Sequence, residues 1–284
     1  MLGAIIGDIV GSKYEFNNIR TKVFPLFSKY SFFTDDSVMT LAIGKALLKC
    51  KGDYTNLTQI VVQTMQTVGR KYPDSGYGNM FKMWMFSKNP KPYNSFGNGS
   101  AMRVSACGIV GKTLEEVKYL SKTVTEVSHN HPEGIKGAEA VAVSIYFALH
   151  GKTKKYIYEY INKHYYRLDF TLDSIRETYR FNETCQGTVP QALVAFFESK
   201  DFEDAIKDMS NCTGELYALM TENNSDSLNN VATETANNTT TISESSNTLN
   251  PFLSLGDSKT TTTNIDKPNN VETMHSAAVT ETPA

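Results

Sequence analysis

Paired cysteines are missing from this chain: Cys50, Cys107, Cys185 and Cys212 are scattered, with none of the C-x-x-C spacing of a zinc knuckle or a redox pair. A reduced, cytoplasmic protein is the expectation. A charge excess is missing too, because 28 Lys and Arg stand against 30 Asp and Glu, and so no basic surface calls for nucleic acid. No apolar run reaches membrane-spanning length, and a membrane partner is not expected. The apolar opening from Met1 to Val10 lacks the basic n-region of a signal peptide and is interrupted by Asp8. Strand-like alternation is not found in any convincing run. What remains is 284 residues with 40% hydrophobic content, enough to bury one substantial core.

Composition changes after about Leu219. Beyond Thr221 about half the residues are Thr, Ser or Asn and Phe252 is the only aromatic, so the segment cannot bury enough surface to offset its ordering entropy. The expected organisation is a helical domain over 1–214 followed by a disordered polar tail over 215–284. Within the first part the apolar spacing predicts helices at about 37–49, 57–70, 114–127, 133–149, 155–164, 189–198 and 202–209. In the first of these Thr40, Lys45 and Lys49 make a narrow polar stripe, and Val38, Met39, Leu41, Ala42, Ile43, Leu47 and Leu48 cover the rest. The segment 133–149 is rich in Gly, Ala and Ser, which lets neighbouring helices approach closely, and Pro132 suits its first position. The fold class is therefore all-α, a compact orthogonal multi-helix domain.

Thr34-Asp35-Asp36 carries two readings. Thr34 suits an N-cap, with both aspartates favoured in the first turn by the helix dipole. The same oxygens suit a hard cation such as Mg²⁺, Mn²⁺ or Ca²⁺ rather than zinc. Consecutive helical side chains diverge by about 100°, so two such carboxylates serve two ions, or one of them bridges. The loop Ser95-Phe96-Gly97-Asn98-Gly99-Ser100-Ala101-Met102-Arg103 reads either as a glycine-rich turn or as a phosphate cradle with Arg103 as counter-charge. His129 and His131 flank a helix start and read as caps or as donors to a substrate phosphate or ribose; their spacing does not suit zinc. Asp8, in an apolar run, needs a partner or a task, and Glu15 either lies on the surface or faces the same cavity as Asp35 and Asp36.

In register, Gly3-Ala4-Ile5-Ile6-Gly7-Asp8-Ile9-Val10-Gly11-Ser12, Tyr14-Glu15, Phe33-Thr34-Asp35-Asp36-Ser37-Val38-Met39, Gly97-Asn98-Gly99-Ser100-Ala101-Met102-Arg103 and His129-Asn130-His131-Pro132-Glu133-Gly134 resemble the ADP-ribosylglycohydrolase family, the dinitrogenase reductase-activating glycohydrolase superfamily. The resemblance covers about Met1 to Asp208. It implies an orthogonal array of helices and hydrolysis at the anomeric carbon of ADP-ribose attached to protein or to a small molecule. It also implies two Mg²⁺ or Mn²⁺ ions, with Thr34, Asp35 and Asp36 as metal ligands. Glu15, Asp35 and Asp36 become the catalytic carboxylates. Gly97, Asn98, Gly99, Ser100, Met102 and Arg103 would hold the diphosphate, and His129 and His131 would touch the ligand.

The chain departs from the family pattern after Asp201-Phe202-Glu203-Asp204-Ala205-Ile206. The family continues with Gly-Gly-Asp-x-Asp-Thr, which completes the metal site; here Lys207-Asp208-Met209-Ser210-Asn211-Cys212-Thr213-Gly214-Glu215 follows. Leu253-Ser254-Leu255-Gly256-Asp257-Ser258-Lys259-Thr260 is a weak echo, with Lys259 where a second aspartate belongs. The alternative to an active hydrolase is an impaired member that binds ADP-ribose or serves a structural role. Asp8, Asp257 and Glu215 are the further carboxylates to look for in the cleft.

Overall fold

The computed structural model describes residues 1–16 and 19–210; the expected tail over 215–284, with Glu215 and Asp257, and Cys212 lie outside the described residues. Eleven α-helices make up the described residues: α1 (Leu2–Gly11), α2 (Asp35–Cys50), α3 (Leu57–Gly69), α4 (Asn79–Phe86), α5 (Ser105–Val110) and α6 (Leu114–Glu126), then α7 (Pro132–Leu149), α8 (Lys154–His164), α9 (Leu172–Ile175), α10 (Cys185–Glu198) and α11 (Phe202–Ser210). A 3-10 turn, Asn98–Ser100, precedes α5. The described residues hold no strand, only an isolated bridge between Gly97 and Thr184, and the all-α expectation is met.

Threonine starts many of these helices, because its hydroxyl accepts a backbone N–H that has no partner within the helix. Thr34 accepts from Asp36, Thr113 from Glu116, Thr153 from Tyr156 and Thr184 from Gly187. The last of these corrects a boundary: α10 begins at Cys185, a turn before the expected Val189, because the Thr184 cap precedes Pro190 and the helix runs through that proline. The short helices α4, α5 and α9 escaped the periodicity reading, as elements of 8, 6 and 4 residues show little more than two turns of pattern.

The long helix α7 lies at the centre, packed against α5, α6, α8 and α10. Its small residues permit this. A Cβ added at Gly108 of α5 would come to 2.4 Å from the Ala142 carbonyl oxygen of α7. Helix α2 packs on α1, α3 and α5, but its orientation differs from the expected stripe. Thr40 is buried and donates to the Met102 carbonyl at 3.1 Å, whereas Leu41 and Leu48 are 50% and 76% exposed beside Lys45 and Lys49. Lys45 and Lys49 keep the exposed side expected of them, while the Thr40 hydroxyl finds an acceptor in the interior and Leu41 and Leu48 take its place on the surface.

Candidate active site

The N-terminus of α2 is built by two helices. Asp8 of α1 is buried, and its carboxylate accepts from the Thr34 and Ser37 backbone N–H groups at 2.8 and 3.1 Å and from their hydroxyls at 2.6 and 2.5 Å. Asp8 is thus a second cap for α2, supplied from another element. Burial still pushes its carboxyl above the usual carboxylate range against these four donors. Thr34 donates its proton to Asp8 and accepts from the Asp36 N–H at 3.2 Å, which leaves its oxygen one lone pair.

With the cap satisfied by Asp8 and Thr34, Asp35 and Asp36 are released to line a cleft of about 520 Å³, a size that suits a small ligand. Glu15 faces the same cleft, as do Gly97, Asn98, Gly99, Met102, Arg103 and His129. Ser100 is buried and is not among the lining residues, its hydroxyl 2.9 and 3.0 Å from the carbonyls of Gly97 and Gly134, between which its one proton is shared. His131 is the N-cap of α7, its Nδ1 accepting from the Glu133 N–H at 3.1 Å, while its ring meets Phe96 edge-on. Arg103 is fully buried and donates through Nη2 to the carbonyls of Val124 and Thr125 and to the Ser128 hydroxyl. Those carbonyls end α6, so the helix dipole supplies partial negative charge to the guanidinium.

Negative charge is concentrated at the α2 end of the cleft. Burial, then the nearby Glu15 and Asp8 carboxylates, push Asp35 up to about 7. Crowded carboxylates of this kind are the setting in which a hard cation is favoured, and the donor chemistry fits Mg²⁺ or Mn²⁺. The number of donors is small: among the described residues no group of three or more His, Cys, Asp or Glu is placed to hold one ion. The fit is therefore one of kind: Asp35 and Asp36 line the cleft, whereas Thr34 is buried at the cap and is not among the lining residues.

The other wall contains residues that sequence reasoning did not single out. The Asn98 N–H donates to the Glu183 carbonyl at 2.8 Å and the Cys185 N–H to the Phe96 carbonyl at 2.9 Å, pinning 183–185 across the glycine loop. Glu183 and Phe181 reach the cleft by this strap, and Phe181 meets Phe16 with ring centroids 5.4 Å apart. No local pattern marks Glu183 or Phe181; the long-range strap places them.

Helices around an acidic cleft bordered by a glycine loop define the class: an all-helical protein with a cleft between the start of α2, the start of α4 and the loop at Gly97–Gly99. The ADP-ribosylglycohydrolase family profile matches residues 1–216, and the chain belongs to that family. ADP-ribosylhydrolase ARH3 of Mus musculus is 26% identical over 182 residues, covering 53% of this chain and 48% of that protein. The Homo sapiens ARH3 is 26% identical over 187 residues, covering 54% and 50%. The chain thus spans about half the length of these curated relatives. A solved structure, an ADP-ribosylglycohydrolase-related protein complex, superposes with a TM-score of 0.57 at 19% identity, over 77% of this chain and 81% of that one, a likeness of fold. Among the described residues no helix is long and apolar enough to cross a membrane.

Proposed function

We propose that this protein hydrolyses the glycosidic bond at the anomeric carbon of ADP-ribose attached to protein or to a small molecule. The observation that carries this reading is the convergence of Glu15, Asp35 and Asp36 with the Gly97–Gly99 loop and His129 in one cleft. The glycine loop and His129 bind the diphosphate and ribose end, while the carboxylates face the reacting carbon. Cleavage there develops oxocarbenium charge, which fixed anionic oxygens stabilise without reorganising. Glu15 is the carboxylate best placed by type to orient or deprotonate the attacking water. Thr34, Asp35 and Asp36 would hold Mg²⁺ or Mn²⁺, which when bound supplies Lewis-acid activation of water. The helical domain over 1–214 carries the site, and the protein works in the cytoplasm.

A second reading has its own support. Few ligands gather for an ion among the described residues. On that reading the cleft binds ADP-ribose without turning it over.

Calorimetry with Mg²⁺ and ADP-ribose, combined with release of ADP-ribose from modified protein, separates the two. Metal-dependent release that falls at least about 100-fold in Asp35→Ala and Asp36→Ala establishes the hydrolase, since loss of an essential electrostatic group costs on that order. Binding without release in the wild-type protein establishes the second reading.

A further inference from the structure

His129 has its ring orientation and its tautomer determined from behind the cleft. Its Nδ1 lies 2.8 Å from the Ser128 hydroxyl oxygen, and that oxygen lies 2.9 Å from Arg103 Nη2. All three side chains are buried. A guanidinium can only donate, so one lone pair of the Ser128 oxygen is already committed. If His129 Nδ1–H donated to the same oxygen, the hydroxyl proton would have no acceptor in a buried site, since Ser128 Oγ has no third partner among the described residues. The arrangement that satisfies every group has the Ser128 hydroxyl donating to Nδ1, which puts the histidine proton on Nε2.

Nε2 faces the glycine loop. It lies 3.4 Å from where a Cβ of Gly99 would be and 3.6 Å from that of Gly97, so a methyl at either position would rest in contact with this nitrogen, and the two glycines leave that side of the ring bare. The rings of Tyr93 and Phe81, with centroids 5.6 and 6.3 Å away, limit its rotation. Charging the ring is opposed by burial and by the Arg103 guanidinium, which hold His129 well below the ordinary histidine value.

We infer that Arg103 and Ser128 are positioning residues that fix His129 as a neutral Nε2–H donor aimed at an oxygen of the ligand in the Gly97–Gly99 loop. The inference rests on the ADP-ribose reading above and deepens it. Arg103 acts through Ser128 and orders the donor. Ser128 is the only side chain to which Arg103 donates a hydrogen bond among the described residues, and the helix-end carbonyls of Val124 and Thr125 hold the guanidinium in line with it.

Ring-nitrogen NMR on the full chain labelled in histidine, with His129 assigned by its loss in His129→Gln, reads the tautomer without ligand. The wild type should show protonated Nε2 and bare Nδ1. Ser128→Ala should move protons onto Nδ1 and weaken ADP-ribose binding by about tenfold, the scale of one hydrogen bond to a charged group; Ser128→Thr, which keeps the hydroxyl, should restore both. An Nδ1–H tautomer in the wild type overturns the inference, and so does a Ser128→Ala protein whose tautomer moves while its ADP-ribose Kd does not. If the wild type fails to bind ADP-ribose, the functional reading falls, and the nitrogen spectrum alone then decides the tautomer.

Discussion

A single carboxylate joins the fold to the cleft. Asp8 was legible in the sequence as a charge needing a partner, yet nothing local said that its partner would be the start of another helix 26 residues on. Because Asp8 takes the cap, Asp35 and Asp36 need not turn back on their own backbone and can face the cleft. Asp8→Ala would strand two backbone N–H groups and two hydroxyls, and should destabilise the protein by about 3 kcal/mol in urea unfolding. Asp8→Asn should cost less, since it can retain the oxygen that takes three of the four donors. Equal midpoints for wild type and Asp8→Ala would show that the two helices are joined by other means. Glu15, Asp35 and Asp36 were legible as candidates by residue type, and so were Gly97, Gly99 and His129. The protonation of His129 was not, because the neighbours that set it include Arg103, which is 26 positions away.

At the scale of elements, the helices with long periodic patterns were read within a few residues, and capping threonine explains why. The failures have physical causes. The exposed face of α2 was misjudged because Thr40 is buried by a hydrogen bond while Leu41 and Leu48 face outward. Close approach of neighbouring helices was anticipated from the small residues of 133–149, and the structure supplies one such neighbour, α5 with its Gly108, a helix too short to read. Gly108→Ala must push backbone against backbone at Ala142, so it should cost about 2 kcal/mol. For a chain of this size that corresponds to a melting temperature lower by roughly 4–8 °C, measured by circular dichroism. An unchanged melting temperature would mean that the two helices do not meet as closely as described.

Across the whole molecule, the segment between α1 and α2 is tied to α11 by charge. Lys22 lies 2.6 Å from buried Asp208 and 3.4 Å from Asp204, and Arg176 lies 3.8 Å from Asp208. Burial pushes the Asp208 carboxyl above the usual range, and Lys22 restrains that rise. A carboxyl whose folded pKa exceeds its unfolded value binds more protons when folded, so its destabilising effect grows as pH rises through that window. Lys22→Ala should therefore lower stability by about 1 kcal/mol at pH 7, a modest amount because Lys22 is partly exposed. The loss should shrink toward pH 4, as Asp208 takes up its proton in either protein. Urea unfolding of both proteins at the two pH values checks it, and a loss that grows in acid would place the effect elsewhere.

The sequence alone determined the helical class and the family, because both depend on short-range information: the 3.6-residue apolar period, capping side chains and motifs in register. It also marked the groups that reach the cleft by type, the carboxylates Glu15, Asp35 and Asp36 and the glycines of the loop. Tertiary structure decided which of those groups share a cavity. It placed Asp8 on the α2 cap, brought Glu183 and Phe181 to the wall by the strap at 183–185, and put Arg103 behind Ser128 rather than on the surface of its loop. Each outcome is a contact between residues at least 25 positions apart, made wherever burial left a polar group needing a partner. No local pattern carries that information, since the requirement arises only once the helices have packed.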